Sequence, residues 1–342
     1  MIKSLEAASG HVGTGLKANS LPLQVVVFSG QVRNSEVLAR ISVSRCENIG
    51  ENSFMKHDYF LAPPGKKIRL KDYDPTFTGK FSTKEAADVK LQGDINRLAE
   101  YQDVLYAQNT YALLIIIQAM DAAGKDGTIK HVMSGVNPQG TQVCSFKVPS
   151  AEELDHDYLW RYNKALPERG RIGIFNRSYY EELLVVRVHP EFLVNQQLPR
   201  RTLKKDIWKR RFEEINEFEQ YLVRNGVEIL KFFLNLSKEE QRRRFLARIE
   251  TAEKNWKFSL NDVKERACWD DYMRAFEAVF NHTSTEWSPW YIVPADHKWF
   301  THIVVADIIT SKLKSLNLNY PELNDSRREE LMKAKELLEN ET

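Results

Sequence analysis

Residues 113–128, Leu-Leu-Ile-Ile-Ile-Gln-Ala-Met-Asp-Ala-Ala-Gly-Lys-Asp-Gly-Thr, constrain the fold more than any other stretch of the chain. The apolar, largely β-branched run lacks polar alternation and reads as a parallel strand buried on both faces. It breaks at Asp121-Ala-Ala-Gly-Lys125-Asp-Gly and resumes as Thr-Ile-Lys-His-Val-Met. Strand, Gly-Lys loop and helix start follow in the order of a P-loop. That order has a physical job: amides of the loop and helix N-terminus face a phosphate, and the lysine supplies a point charge. The usual pattern has Gly where Ala119 stands and Ser or Thr where Asp126 stands. With the hydroxyl ligand for magnesium missing, Asp121 is the replacement, since magnesium on phosphates needs only about one or two carboxylates. The plainer alternative is a glycine turn followed by an ordinary surface lysine, because short motifs also match by chance.

The chain has 342 residues, enough for one large α/β domain or two smaller ones with a sizeable core. A net charge of +2 gives no global case for nucleic-acid binding. Cys46, Cys144 and Cys268 lie far apart without CxxC spacing, which argues against disulfides or zinc and fits a reducing cytoplasm. No apolar run reaches the roughly 18 residues of a membrane span. Lys3 is followed by Ser, Gly and Glu6 where a signal peptide would have its apolar core.

Residues 1–53, rich in Ser, Gly, Val and Asn with one β-like patch at Leu23–Phe28, are expected to form a flexible extension, and Met55 is a candidate natural start. An irregular arm, Met55–Lys80, carries Lys66, Lys67, Arg69 and Lys71. Ser82-Thr83-Lys84-Glu85 resembles a capping box before a long helix with Val89, Leu91, Ile95, Leu98, Tyr101 and Leu105 on its apolar side. Short strands are expected at Gln142–Phe146, Arg171–Phe175, Val227–Leu234 and Trp290–Val293. Helices are expected at His156–Lys164, Arg200–Asn225, Gln241–Glu250, Asn261–Phe280 and His302–Leu316, with Tyr179–Val188 continuing from the second of these strands. Such alternation implies a mostly parallel sheet with helices on both faces. A phosphotransferase domain is expected over 54–318, with a lid at about 240–282, and a charged C-terminal helix over 319–342.

In such sheets ligands bind beyond the carboxyl ends of the strands. Asp121 to Lys125, Asn176 to Arg177, and Asn235 therefore converge on one crevice in this reading. Arg177 suits bidentate phosphate recognition, and Glu181 is placed to accept a proton or hold a metal-bound water. An ion pair capping a helix explains Arg177 and Glu181 equally well. Arg242-Arg243-Arg244 with Arg248, Lys254 and Lys257 lies one turn after a strand end, where a lid over transferring phosphates would sit; a solvated helix face is the alternative. Arg201 and Lys204, expected on a helix, are candidates for contact with an extended polyanion, whereas Lys209 onward reads as surface. His131 reads as a packing or surface histidine.

Asp121-Ala-Ala-Gly-Lys-Asp-Gly, Ser134-Gly-Val-Asn-Pro-Gln-Gly, Gly173-Ile-Phe-Asn-Arg-Ser-Tyr-Tyr-Glu, Glu253-Lys-Asn-Trp-Lys-Phe-Ser and Trp269-Asp-Asp-Tyr272 together resemble the polyphosphate kinase 2 family from about Met55 to about Leu318. The resemblance implies a P-loop kinase fold with a helical lid, and reversible, magnesium-dependent phosphoryl transfer from inorganic polyphosphate to a nucleotide. By motif, Asp121 looks like the magnesium carboxylate and Lys125 like the phosphate-bridging lysine. Ala123, Gly124, Asp126, Gly127 and Thr128 complete the phosphate loop. Asn176 and Arg177 look like the second motif; Arg242, Arg243 and Lys254 look like contacts to the phosphate chain. Asn176 in place of aspartate resembles the class III subgroup, which accepts nucleoside mono- and diphosphates, and a homo-oligomer, dimer or tetramer, is implied.

A polyanionic donor needs a basic groove, and Lys66, Lys67, Lys71, Lys130, Arg201 and Lys204 are candidates for its walls. The acceptor nucleotide needs a second pocket, expected at the Ser134–Gly140 loop with Val136, Asn137 and Pro138. Attack comes from a phosphate oxygen already ionised at neutral pH, so no strong general base is required. Two other readings remain open from the residues: an ATP-dependent nucleoside monophosphate kinase, and a non-catalytic polyanion-binding protein.

Overall fold

A computed structural model of the protein describes residues 55–81 and 83–341, so the patch at Leu23–Phe28 and the expected 1–53 extension lie outside the described residues. Along the chain run β1 (Leu61–Ala62), α1 (Lys84–Gln108), β2 (Ala112–Ala119), α2 (Lys125–Val132), β3 (Thr141–Ser145), β4 (Ile172–Asn176), α3 (Ile207–Arg224) and β5 (Val227–Asn235). Then come α4 (Lys238–Glu250), α5 (Leu260–Ala267), α6 (Trp269–Thr283), β6 (Trp290–Pro294), α7 (Lys298–Ser315) and α8 (Asp325–Glu339). The strands form one sheet in the order β1-β6-β5-β2-β4-β3, parallel except where β1 pairs antiparallel with β6. This is the helix-flanked parallel sheet of a P-loop kinase-like α/β fold.

The apolar run of β2 fills both layers, as its lack of alternation requires. Leu113, Ile115 and Ile117 pack with Ile95 and Leu98 of α1, Val132 of α2 and Ile303 and Val304 of α7. Leu114 and Ile116 point the other way, into Phe212 and Ile215 of α3 and Phe276 and Phe280 of α6. Each such buried side chain contributes about 1.5–3 kcal/mol relative to exposure. Register places Ile117 of β2 opposite Asn176 of β4, so the P-loop leaves β2 beside the end of β4.

Two charged clusters are buried within these layers. Lys231 of β5, fully buried, donates to Glu219 Oε2 of α3 at 2.6 Å, to Thr283 O at 2.7 Å and to Tyr180 Oη at 3.0 Å. Between α1 and α7, Asp94 and Asp307 hold Lys90 and Arg97, and Asp307 also accepts from His57 at 2.7 Å and from the Met55 amide at 2.9 Å.

Several local expectations are corrected. The arm contains a strand, β1, which two residues cannot signal by periodicity. Thr83 caps α1 by accepting from the Ala86 amide, and Val89 is exposed although placed on the apolar side. Helix α3 begins at Ile207, leaving Arg201 and Lys204 in an exposed loop after Pro199. Ile207 is where burial starts, and packing rather than propensity sustains a helix in a protein. The segment His156–Lys164 is helical only at Trp160–Asn163, and the helix expected over Asn261–Phe280 breaks at Cys268. No helix among the described residues is long and apolar enough to cross a membrane.

Candidate active site

A crevice of about 860 Å³ opens beyond the carboxyl ends of β2 and β4. Asp121, Gly124, Lys125, Asp126 and Gly127 of the P-loop line one side, and Asn176 and Arg177 line the next. The turn works because Ala122 and Gly124 take left-handed backbone conformations, with φ of 65° and 105°. Gly124 needs no Cβ there, and it is the residue from which α2 starts. Arg177 is also left-handed, with φ of 65°, an uncommon conformation for a side chain of this size. Its amide still donates to Ile117 O at 3.2 Å, so the strand pairing ends just as the side chain enters the crevice.

Charges in the crevice hold one another. Arg177 donates to Asp121 Oδ1 at 3.1 Å and lies 3.6 Å from Glu181 Oε2. Lys125 folds back to donate from Nζ to Ala119 O at 3.0 Å. Burial, reinforced by the Arg177 charge, lowers the Lys125 ammonium from its ordinary value, while Asp121, Glu181 and Asp126 oppose that shift. Burial raises the Glu181 carboxyl against the pull of Arg177 and Lys125. Glu181 in turn keeps Arg177 firmly charged. Asn176 donates to Asp126 Oδ1 at 2.7 Å, so a neutral amide and a carboxylate face each other where a P-loop hydroxyl and a second acid are usual.

Helix α4 forms the opposite wall, and there the structure shifts the emphasis within the arginine run. Arg242 and Arg243 are exposed, and Arg243 is held outward by Glu240 at 2.5 Å. Neither lines the crevice. Arg244, buried, donates to Ala122 O at 3.0 Å, Ala123 O at 2.9 Å, Ala295 O at 2.7 Å, Asp296 O at 3.0 Å and Glu240 Oε1 at 2.7 Å. It fastens the P-loop to α4 and the end of β6. Gln241, one turn earlier, donates to Asp121 O at 3.0 Å. Arg248, Lys254, Lys257 and Lys298 add positive charge to the crevice wall, and Asp262 of α5 adds a carboxyl. Burial, with Asp121 across the crevice, raises the Asp262 carboxyl.

The remaining sequence candidates lie elsewhere. Ala123 and Thr128 are buried within the loop and helix, Thr128 donating to Gly124 O. Lys130 is exposed on α2 and does not line the crevice. Lys71 sits on a turn whose neighbour Leu70 donates to Glu277 of α6, outside the crevice. Arg201 and Lys204 occupy the exposed loop noted above. Val136 is buried and the Asn137 amide donates to Gln102 Oε1 of α1 at 3.2 Å, while Asn137 and Pro138 are exposed, and none of the three lines the crevice. Asn235 turns to the arm, donating to Tyr73 O at 2.8 Å. A second cavity of about 230 Å³ instead adjoins the crevice through Phe146, Lys147, Val148 and Arg177; Tyr158, Tyr162, Phe192, Asn195 and Gln196 line it. Sequence reading passed over Arg244's role, Asp262 and Lys298. Gln241, Arg244, Phe245 and Arg248, at helical spacing, were the available signal for the first of these.

Among the described residues no three His, Cys, Asp or Glu side chains converge as a metal-binding group. The crevice nonetheless offers hard oxygen donors, Asp121 and Asp262, of the kind that share a magnesium ion with phosphate oxygens and water.

A family model described as polyphosphate kinase 2 matches residues 81–321. An ADP-polyphosphate phosphotransferase of Rhodopseudomonas palustris is 50% identical over 285 residues, 83% of this chain and 99% of that protein. An AMP/ADP-polyphosphate phosphotransferase of Meiothermus ruber is 43% identical over 265 residues, covering 77% and 95%. The crystal structure of polyphosphate kinase 2 from Arthrobacter aurescens aligns with a TM-score of 0.72 at 38% identity, over 80% of this chain and 98% of that one. Sequence and fold agree over most of the chain, which belongs to the polyphosphate kinase 2 family.

Proposed function

We propose that the protein transfers a phosphoryl group from inorganic polyphosphate to nucleoside mono- and diphosphates, AMP to ADP to ATP, reversibly and with magnesium. The observation that carries this reading is the crevice itself. Lys125, Arg177, Arg248, Lys254, Lys257 and Lys298 meet there around Asp121, and a more apolar cavity opens off the same space at Arg177. A polyanionic donor needs the first compartment and a nucleotide acceptor the second. The names of the relatives from Rhodopseudomonas palustris and Meiothermus ruber support the same donor and acceptors.

In this mechanism Lys125 leaves Ala119 O and Arg177 turns from Asp121 to the phosphates. Both are already partly desolvated, which strengthens their attraction for the charge on the transferring group. Gly124, Asp126 and Gly127 contribute the backbone of the loop and of the helix N-terminus. Asp121, joined by Asp262, would hold magnesium, which supplies charge neutralisation on the phosphate oxygens. The attacking phosphate oxygen is already ionised, so Glu181 serves to orient Arg177 rather than to remove a proton. Phe146, Tyr158, Tyr162 and Phe192 provide flat apolar walls for a base, with Asn195 and Gln196 as polar partners, in place of the 134–140 loop. Cys144 and Cys268 are free thiols, which suits a reducing cytoplasm. A homo-oligomeric assembly belongs to the same reading, and light scattering on the purified protein tests it.

The decisive assay mixes the protein with magnesium and long-chain polyphosphate, plus AMP or ADP separately and no ATP, beside a Lys125→Ala control. Formation of ADP from AMP and of ATP from ADP, lost in the control, is the expected result. Turnover only when ATP is the donor would replace this reading with an ordinary nucleoside monophosphate kinase. Binding without turnover, unaffected by Lys125→Ala, would leave a polyanion-binding protein.

A further inference from the structure

Two histidines, one ten residues after Asp121 and one from the far end of the chain, stand against each other at the wall of the crevice, unused by the mechanism above. His131 comes from α2 and His302 from α7, and both line the crevice together with Lys298. Their rings stack with centroids 4.5 Å apart and planes 16° from parallel. His131 donates from Nδ1 to Gly127 O at 2.8 Å, the carbonyl being able only to accept, so in the neutral ring Nε2 is left as an acceptor. His302 is 8% exposed and makes no hydrogen bond among the described residues. A buried ring that merely packed would be served as well by an apolar side chain. This one is mostly buried, makes no hydrogen bond among the described residues and lines the charged crevice.

Building on the proposed polyphosphate activity, we propose that His302, steadied by the His131 ring, is a proton-accepting subsite for the phosphate chain, neutral in the free enzyme and charged when the chain's oxygens come alongside. Its surroundings explain why the charge waits for the chain. Lys298 precedes it by one helical turn, and Arg244, Arg248 and Lys254 lie around Lys298, with Glu240 occupied by Arg243 and Arg244. On α2, Lys125 and Lys130 are positive, and Asp126 accepts from Asn176. On α1, packed against α7, Lys90, Asp94 and Arg97 are engaged with one another and with Asp307. The net field is positive. Burial, then His131 and Lys298, push His302 down to about 4, so it is uncharged near neutrality. A phosphate chain reverses that field and brings acceptor oxygens to a ring that has none. The proton comes from solvent, no covalent bond changes, and the site gains a donor and a charge only when filled.

Isothermal titration of tripolyphosphate into the intact enzyme, in two pH 7 buffers of unlike ionisation enthalpy, reads the protons taken up. Expected is a net uptake by wild type that falls, by a similar amount, in His302→Asn and His131→Asn. The ring resonances of wild-type His302 should move to the imidazolium position on adding tripolyphosphate, a readout that needs no variant. In turnover, the wild-type KM for polyphosphate should fall as pH is lowered from about 8 to about 6.5, approaching tenfold per pH unit for one linked proton. The variants should retain only the part due to the chain's own titration, with KM for ADP unchanged. Equal proton uptake in wild type and both variants, or an unmoved His302 resonance while tripolyphosphate binds, overturns the proposal and leaves the kinase reading standing. Failure of wild type to bind tripolyphosphate or to turn over polyphosphate overturns both.

Discussion

Replacing Arg244 by methionine tests how the phosphate loop is held. The guanidinium makes five hydrogen bonds, to Ala122 O, Ala123 O, Ala295 O, Asp296 O and Glu240. Ala122, Ala123 and Ala295 are 9%, 2% and 0% exposed, so their carbonyls have little access to water. A hydrogen bond to a charged group contributes about 1.5–3 kcal/mol net, and a stranded buried partner costs about 1–3 kcal/mol. The five are not additive, because they share one cation and because water can enter from the crevice side. Loss of one member of a buried ionic cluster sets the scale at about 3–5 kcal/mol. At about 2–4 °C per kcal/mol, the melting temperature should drop by roughly 6–20 °C. Arg244→Lys offers at most three donors from one point and should recover only part of this. Activity should fall further than the melting temperature implies, because loop misplacement by about 1 Å costs on the order of 100-fold. Calorimetric melts and polyphosphate-dependent turnover of both variants, measured well below the transition, are the assay. A methionine variant that melts within about 2 °C of wild type and keeps its turnover would refute the reasoning and show that the loop supports its own geometry.

Asp121→Asn and Lys125→Ala should each reduce turnover by about 100- to 1,000-fold with little change in melting temperature, as expected when one preorganised charge is removed from a transition state. Lys231→Met strands the buried Glu219 carboxylate and should cost about 3–5 kcal/mol in denaturant unfolding, whereas adding Glu219→Gln should return much of that loss. The Asp307 carboxyl lies below its ordinary value because, although burial would raise it, hydrogen bonds from His57 and Lys90 outweigh that effect. The unfolded chain therefore binds the proton more readily, and the stability Asp307 lends is present above about pH 4 and lost as pH falls through its folded value. Asp307→Asn should lower the melting temperature at neutral pH and make the decline between about pH 5 and 3 shallower in a pH series of melts.

The parts of the site set by local chemistry were legible in the chain. The unbroken apolar run of β2 required burial on both faces, and the Gly-Lys turn required a helix start. What was not legible depended on helical phase and on distance along the chain. Three successive arginines differ by about 100° each around α4, and only packing of Gln241 and Phe245 selects Arg244 as the inward one. Asp262, Lys298 and His302 come from elements more than a hundred residues beyond the P-loop, with no local pattern tying them to it. Arg201 and Lys204 were read on a helix because charge spacing alone cannot tell an amphipathic turn from an exposed loop. The bond by which the Val-Asn-Pro-Gln-Gly loop is tied to Gln102 of α1 likewise had no local signal in its turn residues.

The short strand β1 bears on where this protein can be cut. The family model matches from residue 81, yet the arm before it supplies a sheet edge. Ile292 of β6 donates to Phe60 O at 2.6 Å, and Phe60, Ala62, Ile68 and Leu70 are buried. A fragment begun at the family boundary would present β6 with bare amides and carbonyls beside an uncovered apolar strip, the arrangement by which strands recruit strands from other molecules. Such a fragment should precipitate or domain-swap where the chain retaining residues 55–80 stays dispersed. Tyr73, through Asn235, further makes the arm a splint on the β5 end, so trimming for crystallisation should stop short of Met55.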